Sequence, residues 1–270
     1  ANPEVVSVAP KIISKSEDEI SNNESSKDIG IKTLSNKKQL KSKLHMVNKE
    51  LAEYAQKKQL KSAIKTFNKC LKKGIPLDVH SFANLINAYV RCGEIDTALI
   101  QLETMKNRNI SPNIVLLTTI MKGYCESGDM TSAKGIFQQM LQSDQQNMKP
   151  NIRTYNTFLR GCIRVGDINS ALHYFNTIKG EDKDKDKDSS VQPDKTTYQY
   201  MIQLLCQSLR YEEAKDILSH YTLCNEDDDV TDSIATYISL ARCGILLCQF
   251  VEAGKWLDIA KTFLHQAHHA

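Results

Sequence analysis

The 270-residue chain has no run of about 18 apolar residues, which excludes a membrane-spanning helix. It has no secretory hydrophobic core at its start, and it begins at Ala1 without a methionine. A removed transit peptide or a trimmed start would account for that beginning. No Gly-rich phosphate loop, H-E-x-x-H or G-x-S-x-G is present, so no catalytic residue or cofactor is expected. The eight cysteines include no C-x-x-C pair, which argues against a zinc or disulfide framework. Cys125, Cys162 and Cys206 fall on the apolar stripe of one set of helices, and Cys70 on that of another. They read as buried thiols of a reducing compartment. His265 with His268 or His269 has helical metal-ligand spacing, but a frayed chain end is the simpler reading and no metal site is expected.

Charge is unevenly spread. Residues 44–180 carry 18 basic against 10 acidic side chains, and residues 181–270 carry 9 against 16. A polyanion would prefer the first part, although moderately basic helical surfaces also arise without one. The first 43 residues do not look globular: the stretch from Ser14 to Lys43 is polar (KSEDEISNNESSKDIG, then NKKQLKSK) and is expected to be flexible or only locally ordered. The Lys-Asp run of 180–190 and the acidic Glu226–Asp229 read as solvated loops.

What the chain does have is a repeat. Ala63, Ala98, Ala133, Ala171, Ala214 and Ala253 follow one another at 35, 35, 38, 43 and 39 residues. Each has an apolar residue three before it and another four after it, from Leu60 and Phe67 to Phe250 and Leu257. A small residue recurring at such a period marks one structural unit copied along the chain.

In the third copy, Leu117, Ile120, Met121, Tyr124 and Cys125 share one helical face. Ser127-Gly128-Asp129 then stops that helix and starts another, whose inner face carries Met130, Ala133, Phe137 and Met140. Pro150-Asn151 ends the unit. Each unit is therefore a helical hairpin in which the alanine permits a close crossing, and only a stack of hairpins buries the stripes. In the fifth and sixth units Leu209 and Cys248 stand where a turn glycine is expected, and Trp256 is placed in the terminal cap.

The endings SPNIVLLT, KPNIRTYNTFLRGC and QPDKTTYQYM, and the turn Val90-Arg91-Cys92-Gly93-Glu94-Ile95-Asp96-Thr97-Ala98, closely resemble the pentatricopeptide repeat family. The resemblance covers 44–268 and is strongest over 79–220. It implies an all-α, right-handed α-solenoid of about six units, at 44–78, 79–113, 114–151, 152–194, 195–233 and 234–268. It also implies single-stranded RNA binding in a mitochondrion or plastid, one base per unit, read by the fifth and last residues of each unit. Those pairs are Asn48 with Asp78 and Asn156 with Asp194, associated with uracil, and Thr118 with Asn151, associated with adenine. Ala83 with Asn113 lacks a polar fifth residue, and Gln199 with Ser233 is undecoded. Family polarity then gives 5′-U-n-A-U-3′.

Base-packing second residues would be His45, His80, Val115, Arg153 and Thr196, of which only Val115 is the usual apolar choice. Arg91 and Arg164, near the ends of first helices, are candidates for phosphate contacts or ordinary solvated arginines. Four readable bases are too few to define one transcript. A structured RNA such as a tRNA, or a partner domain, is expected to complete recognition. Two alternatives are the recognition module of a longer RNA-processing or tRNA-modifying enzyme of the protein-only RNase P kind, and a scaffold subunit of an organellar ribonucleoprotein. The acidic C-terminal units fit a protein contact.

Overall fold

The computed structural model describes residues 26–143, 145, 148–180, 191–224 and 234–269. Among these there are helices and connecting turns, with no strand. The helices are α1 (Ser26–Gln56), α2 (Leu60–Lys72), α3 (Val79–Arg91), α4 (Ile95–Asn107), α5 (Ile114–Ser127) and α6 (Met130–Leu141). They continue as α7 (Ile152–Val165), α8 (Ile168–Lys179), α9 (Lys195–Gln207), α10 (Tyr211–Cys224), α11 (Ile234–Leu246) and α12 (Phe250–His269).

Contacts divide the chain into Ala1–Lys43 and Leu44–Ala270. In the first part, helix begins at Ser26, where the sequence reading expects a flexible or only locally ordered segment. The reason is composition: Lys, Leu and Gln lose little rotamer freedom in a helix, and no proline interrupts them. Residues 1–25 lie outside the described residues, as do 181–190 and 225–233, which hold the Lys-Asp run and the acidic Glu226–Asp229.

The second part is an all-α solenoid of helical hairpins. The first helices of successive units form a continuous layer, α3 on α5, α5 on α7, α7 on α9 and α9 on α11. The second helices α4, α6, α8 and α10 each pack on their own partner and on the first helix of the next unit. The repeating alanines sit at these crossings. Five are fully buried and Ala253 is 2% exposed, as the small-residue period requires.

Larger side chains fill the layer between hairpins. Phe137 meets Tyr155, Phe158 and Tyr174 at ring-centroid distances of 4.9, 5.1 and 4.8 Å, which joins the third unit to the fourth. At the far end the Trp256 indole donates to the Tyr211 hydroxyl at 2.8 Å and stacks on Tyr237. Cys70, Cys125, Cys162 and Cys206 are buried. Burial pushes the Cys125 and Cys206 thiols up to about 12, so they stay protonated and inert.

Turns follow the expected chemistry with one extension. Gly93, Gly128 and Gly166 adopt left-handed φ values of 84°, 86° and 76°. Leu209 and Cys248 hold the same conformation at 56° and 60°, without glycine's freedom. Lys58 does so in the first unit, at 55°.

Candidate nucleic-acid interface

The last residue of a unit is also the N-cap of the next unit's first helix. Asp78, Asn113, Asn151 and Asp194 cap α3, α5, α7 and α9 from extended backbone. In each, a side-chain oxygen accepts the N–H of the third helical residue at 2.8–3.0 Å. Such a cap contributes about 1 kcal/mol and fixes where the side chain stands.

The fifth residue of the preceding unit reaches this cap across the stack. Asn48 Nδ2 donates to Asp78 Oδ1 at 3.1 Å. Asn156 Nδ2 donates to both Asp194 oxygens, at 3.0 and 3.2 Å. Thr118 approaches Asn151 through an intermediate: its hydroxyl lies 3.0 Å from Thr154 Oγ1, which donates to Asn151 Oδ1 at 3.1 Å. Residues 30 to 38 positions apart in sequence are thus hydrogen-bonded or bridged in the order the repeat assigns them.

Electrostatics favour charge on Asp78. Burial pushes its carboxyl up, but the Ser81 N–H, the adjacent Ser81 hydroxyl dipole and the Asn48 amide, with the His80 ring nearby, outweigh this and hold it below the usual carboxylate range. Around the fourth unit's pair an open cleft is lined by Ile152, Arg153, Asn156, Arg160, Asp194 and Tyr200. It combines amide and carboxylate groups with two guanidinium groups and a phenol ring.

The remaining sequence-derived residues divide. His45, His80, Val115 and Arg153 are exposed, Val115 by 62%. Ala83 is partly buried and has no polar group for a base, and Asn113 serves as a cap. Arg91 is tied into the stack, with Nη2 donating to the Gln56 carbonyl at 3.2 Å, whereas Arg164 is exposed. Gln199 is partly buried, and Ser233 lies outside the described residues.

The sequence reading missed Ser81, Thr154 and Thr197, third in their helices and fully buried, and also Arg160 and Tyr200. The signal for the first three was present as D-x-x-S, N-x-x-T and D-x-x-T at helix starts. No group of three or more His, Cys, Asp or Glu that could hold a metal occurs among the described residues. No helix of the described residues is long and apolar enough to cross a membrane.

Comparison with known proteins leads to one family. A PPR repeat family profile matches residues 112–164, a pentatricopeptide repeat domain profile matches 65–127, and a PPR repeat profile matches 153–182 and 196–220. Two pentatricopeptide repeat-containing proteins of Arabidopsis thaliana are 38% identical over 60 residues and 30% identical over 74 residues. Those alignments take in 22% and 27% of this chain, but only 12% and 10% of the relatives.

Among solved structures, the pentatricopeptide repeat protein PPR10 from maize aligns with a TM-score of 0.56 at 18% identity, over 78% of this chain and 32% of that one. Its complex with an 18-nt psaJ RNA element aligns at 0.52 and 16% identity, over 84% of this chain and 37% of that one. The PPR domain of Arabidopsis thaliana protein-only RNase P 1, in complex with tRNA, aligns at 0.52 and 16% identity, over 71% of this chain and 95% of that domain. With its buried-alanine hairpins, its capped unit boundaries and profile matches that together take in more than half of its length, the chain belongs to the pentatricopeptide repeat family.

Proposed function

We propose that this chain binds RNA along its first-helix layer, reading about one base per unit through the fifth and last residues. The observation that carries this is the bonded pairing of Asn48 with Asp78 and of Asn156 with Asp194, the latter lining an open cleft. The fourth-unit cleft offers Arg153 and Tyr200 for stacking and Arg160 for a phosphate. The excess of basic side chains over 44–180 supports a polyanion along the same units.

The proposed cellular setting is an organelle, mitochondrion or plastid, with a role in RNA processing, stability or translation. Four readable bases at about 1–3 kcal/mol each favour a structured RNA such as a tRNA, or help from a further domain. RNA complexes among the structurally similar proteins support this reading. In this proposal the repeat array supplies recognition and not catalysis. If it serves a longer enzyme, the chemistry lies in another domain.

The test exchanges one unit's pair for another's. Asn156→Thr with Asp194→Asn gives the fourth unit the pair found in the third, and binding is expected to shift from 5′-UNAU-3′ toward 5′-UNAA-3′. Unchanged preference would refute the base assignment. Affinity is also expected to fall linearly on a log–log plot against salt.

A second reading, protein contact at the last unit, is favoured by Leu246, Phe250 and Val251, exposed by 71%, 63% and 77%. Absence of RNA binding even at low salt would promote it over the first.

A further inference from the structure

The five positions that are third in a first helix are Ser81, Leu116, Thr154, Thr197 and Thr236. The fifth residues of the units before them are Asn48, Ala83, Thr118, Asn156 and Gln199. A hydroxyl follows every polar fifth residue, and leucine follows the alanine. The hydroxyl side chains are buried: Ser81, Thr154 and Thr197 are fully so, and Thr236 is 7% exposed.

Hydrogen-bond balance explains the coupling. Ser81 Oγ lies 2.6 Å from Asn48 Oδ1 and 2.9 Å from Asp78 Oδ1, both of which only accept. Asp78 Oδ1 already accepts from Ser81 N and Asn48 Nδ2, so the single hydroxyl proton goes to the amide oxygen. Thr197 repeats this, 2.7 Å from Asn156 Oδ1 and 2.8 Å from Asp194 Oδ1. Turning either amide over would set its oxygen against a carboxylate. The amide orientation is therefore fixed, and its remaining N–H is the group left for a ligand. The third unit runs the other way. Thr154 Oγ1 lies within donating distance of Asn151 Oδ1, at 3.1 Å, and with its proton placed there Thr118 donates to Thr154. The Thr118 oxygen is then left as an acceptor, and the Asn151 amide as a donor.

We propose that the third-position hydroxyl is a positioning residue that sets the hydrogen-bond polarity of the base-reading pair in the unit before it. Asn48 with Asp78 and Asn156 with Asp194 present a donor and an acceptor. Thr118 with Asn151 presents an acceptor and a donor. Uracil O4 and N3–H complement the first order, and adenine N6–H and N1 the second. Cytosine N4–H and N3, in the same pose, clash with the first. The inference rests on the base-reading proposal for its consequence, but the relay itself exists without RNA.

The test uses Thr197→Val, which keeps the shape and removes the hydroxyl, with Thr197→Ser as the conservative rescue. In the free protein, NMR of the Asn156 side-chain amide is expected to show one hindered, slowly exchanging NH2 group. Thr197→Val loses that protection and Thr197→Ser keeps it. Equal protection in Thr197→Val overturns the relay whatever the protein binds.

With 5′-UNAU-3′ and 5′-UNAC-3′ oligonucleotides, the U-over-C preference is expected to fall roughly 3- to 10-fold in Thr197→Val and to recover in Thr197→Ser, the worth of one hydrogen bond. A preference unchanged in Thr197→Val overturns the specificity role while leaving base reading intact. No preference in the unmodified protein, with the amide still protected, overturns base reading and leaves the relay standing. Should Thr197→Val fail to fold, Ser81→Ala with the Asn48 amide and the first nucleotide decides the same questions.

Discussion

At Gly161 the fourth unit lies tightly against the third. A Cβ placed there would lie 2.5 Å from Cys125 Sγ, 2.8 Å from Cys125 Cβ and 2.9 Å from Met130 Sδ. Carbon contacts settle near 3.5–4.0 Å, so roughly 1 Å of separation must open. A methionine sulfur can swing aside, but Cys125 Cβ is fixed to the α5 backbone, so α7 itself must move. Overpacking of this kind costs about 1–3 kcal/mol, and the alanine returns up to about 1 kcal/mol of helix propensity. With a mid-range cost, Gly161→Ala is therefore expected to destabilise by about 1 kcal/mol. Gly123→Ala is the comparison, because its Cβ meets nothing closer than Val90 Cγ1 at 3.0 Å. Urea denaturation followed by circular dichroism, with the slope held equal among variants, measures both. A Gly161→Ala protein as stable as the parent, or less affected than Gly123→Ala, would show that the close approach of α5 and α7 does not limit the stack.

Three further outcomes follow from the turns, the thiols and the cap. Leu209→Gly relieves a left-handed residue that is half exposed, and about 0.5–1 kcal/mol of gain should raise Tm by a few degrees in a thermal melt. Ellman's reagent with peptide mapping should modify exposed Cys248 in the native protein, and Cys125, Cys162 and Cys206 only after unfolding. Asp78 has a folded pKa below its unfolded value near 3.9, so its contribution is full above that value and fades as pH falls through the folded one. Urea melts from pH 7 down to about 2.5 should therefore show the parent's advantage over Asp78→Asn, which keeps the cap, closing below about pH 4.

The hairpins were legible because burying a stripe against a neighbour demands a period, and the alanines with their flanking apolar residues state it. The pairs proposed to read bases were legible only through the family resemblance. Nothing local tells Asn156 to meet Asp194. The hydroxyl positions were hidden because a serine or threonine three residues after an aspartate already has a sufficient local role as a capping partner. Its second bond, back to a residue 33 to 41 positions earlier, needs the stacked geometry. The helical start at Ser26 was obscured by polarity, since propensity without an apolar face leaves no period to read. Arg91 looked like a surface cation because only the packed array brings the Gln56 carbonyl within its reach.

The double duty of Asp78 and Asp194 limits how this protein can be recoded. Each begins a helix as well as standing in a proposed base-reading pair, so an exchange there must first satisfy an orphan N–H. Asp, Asn, Ser and Thr can do so, and most other side chains cannot. Folding chemistry thereby restricts the vocabulary at that position to a few short polar letters before any nucleotide is consulted. A library randomised there would be winnowed twice, once by stability and once by ligand.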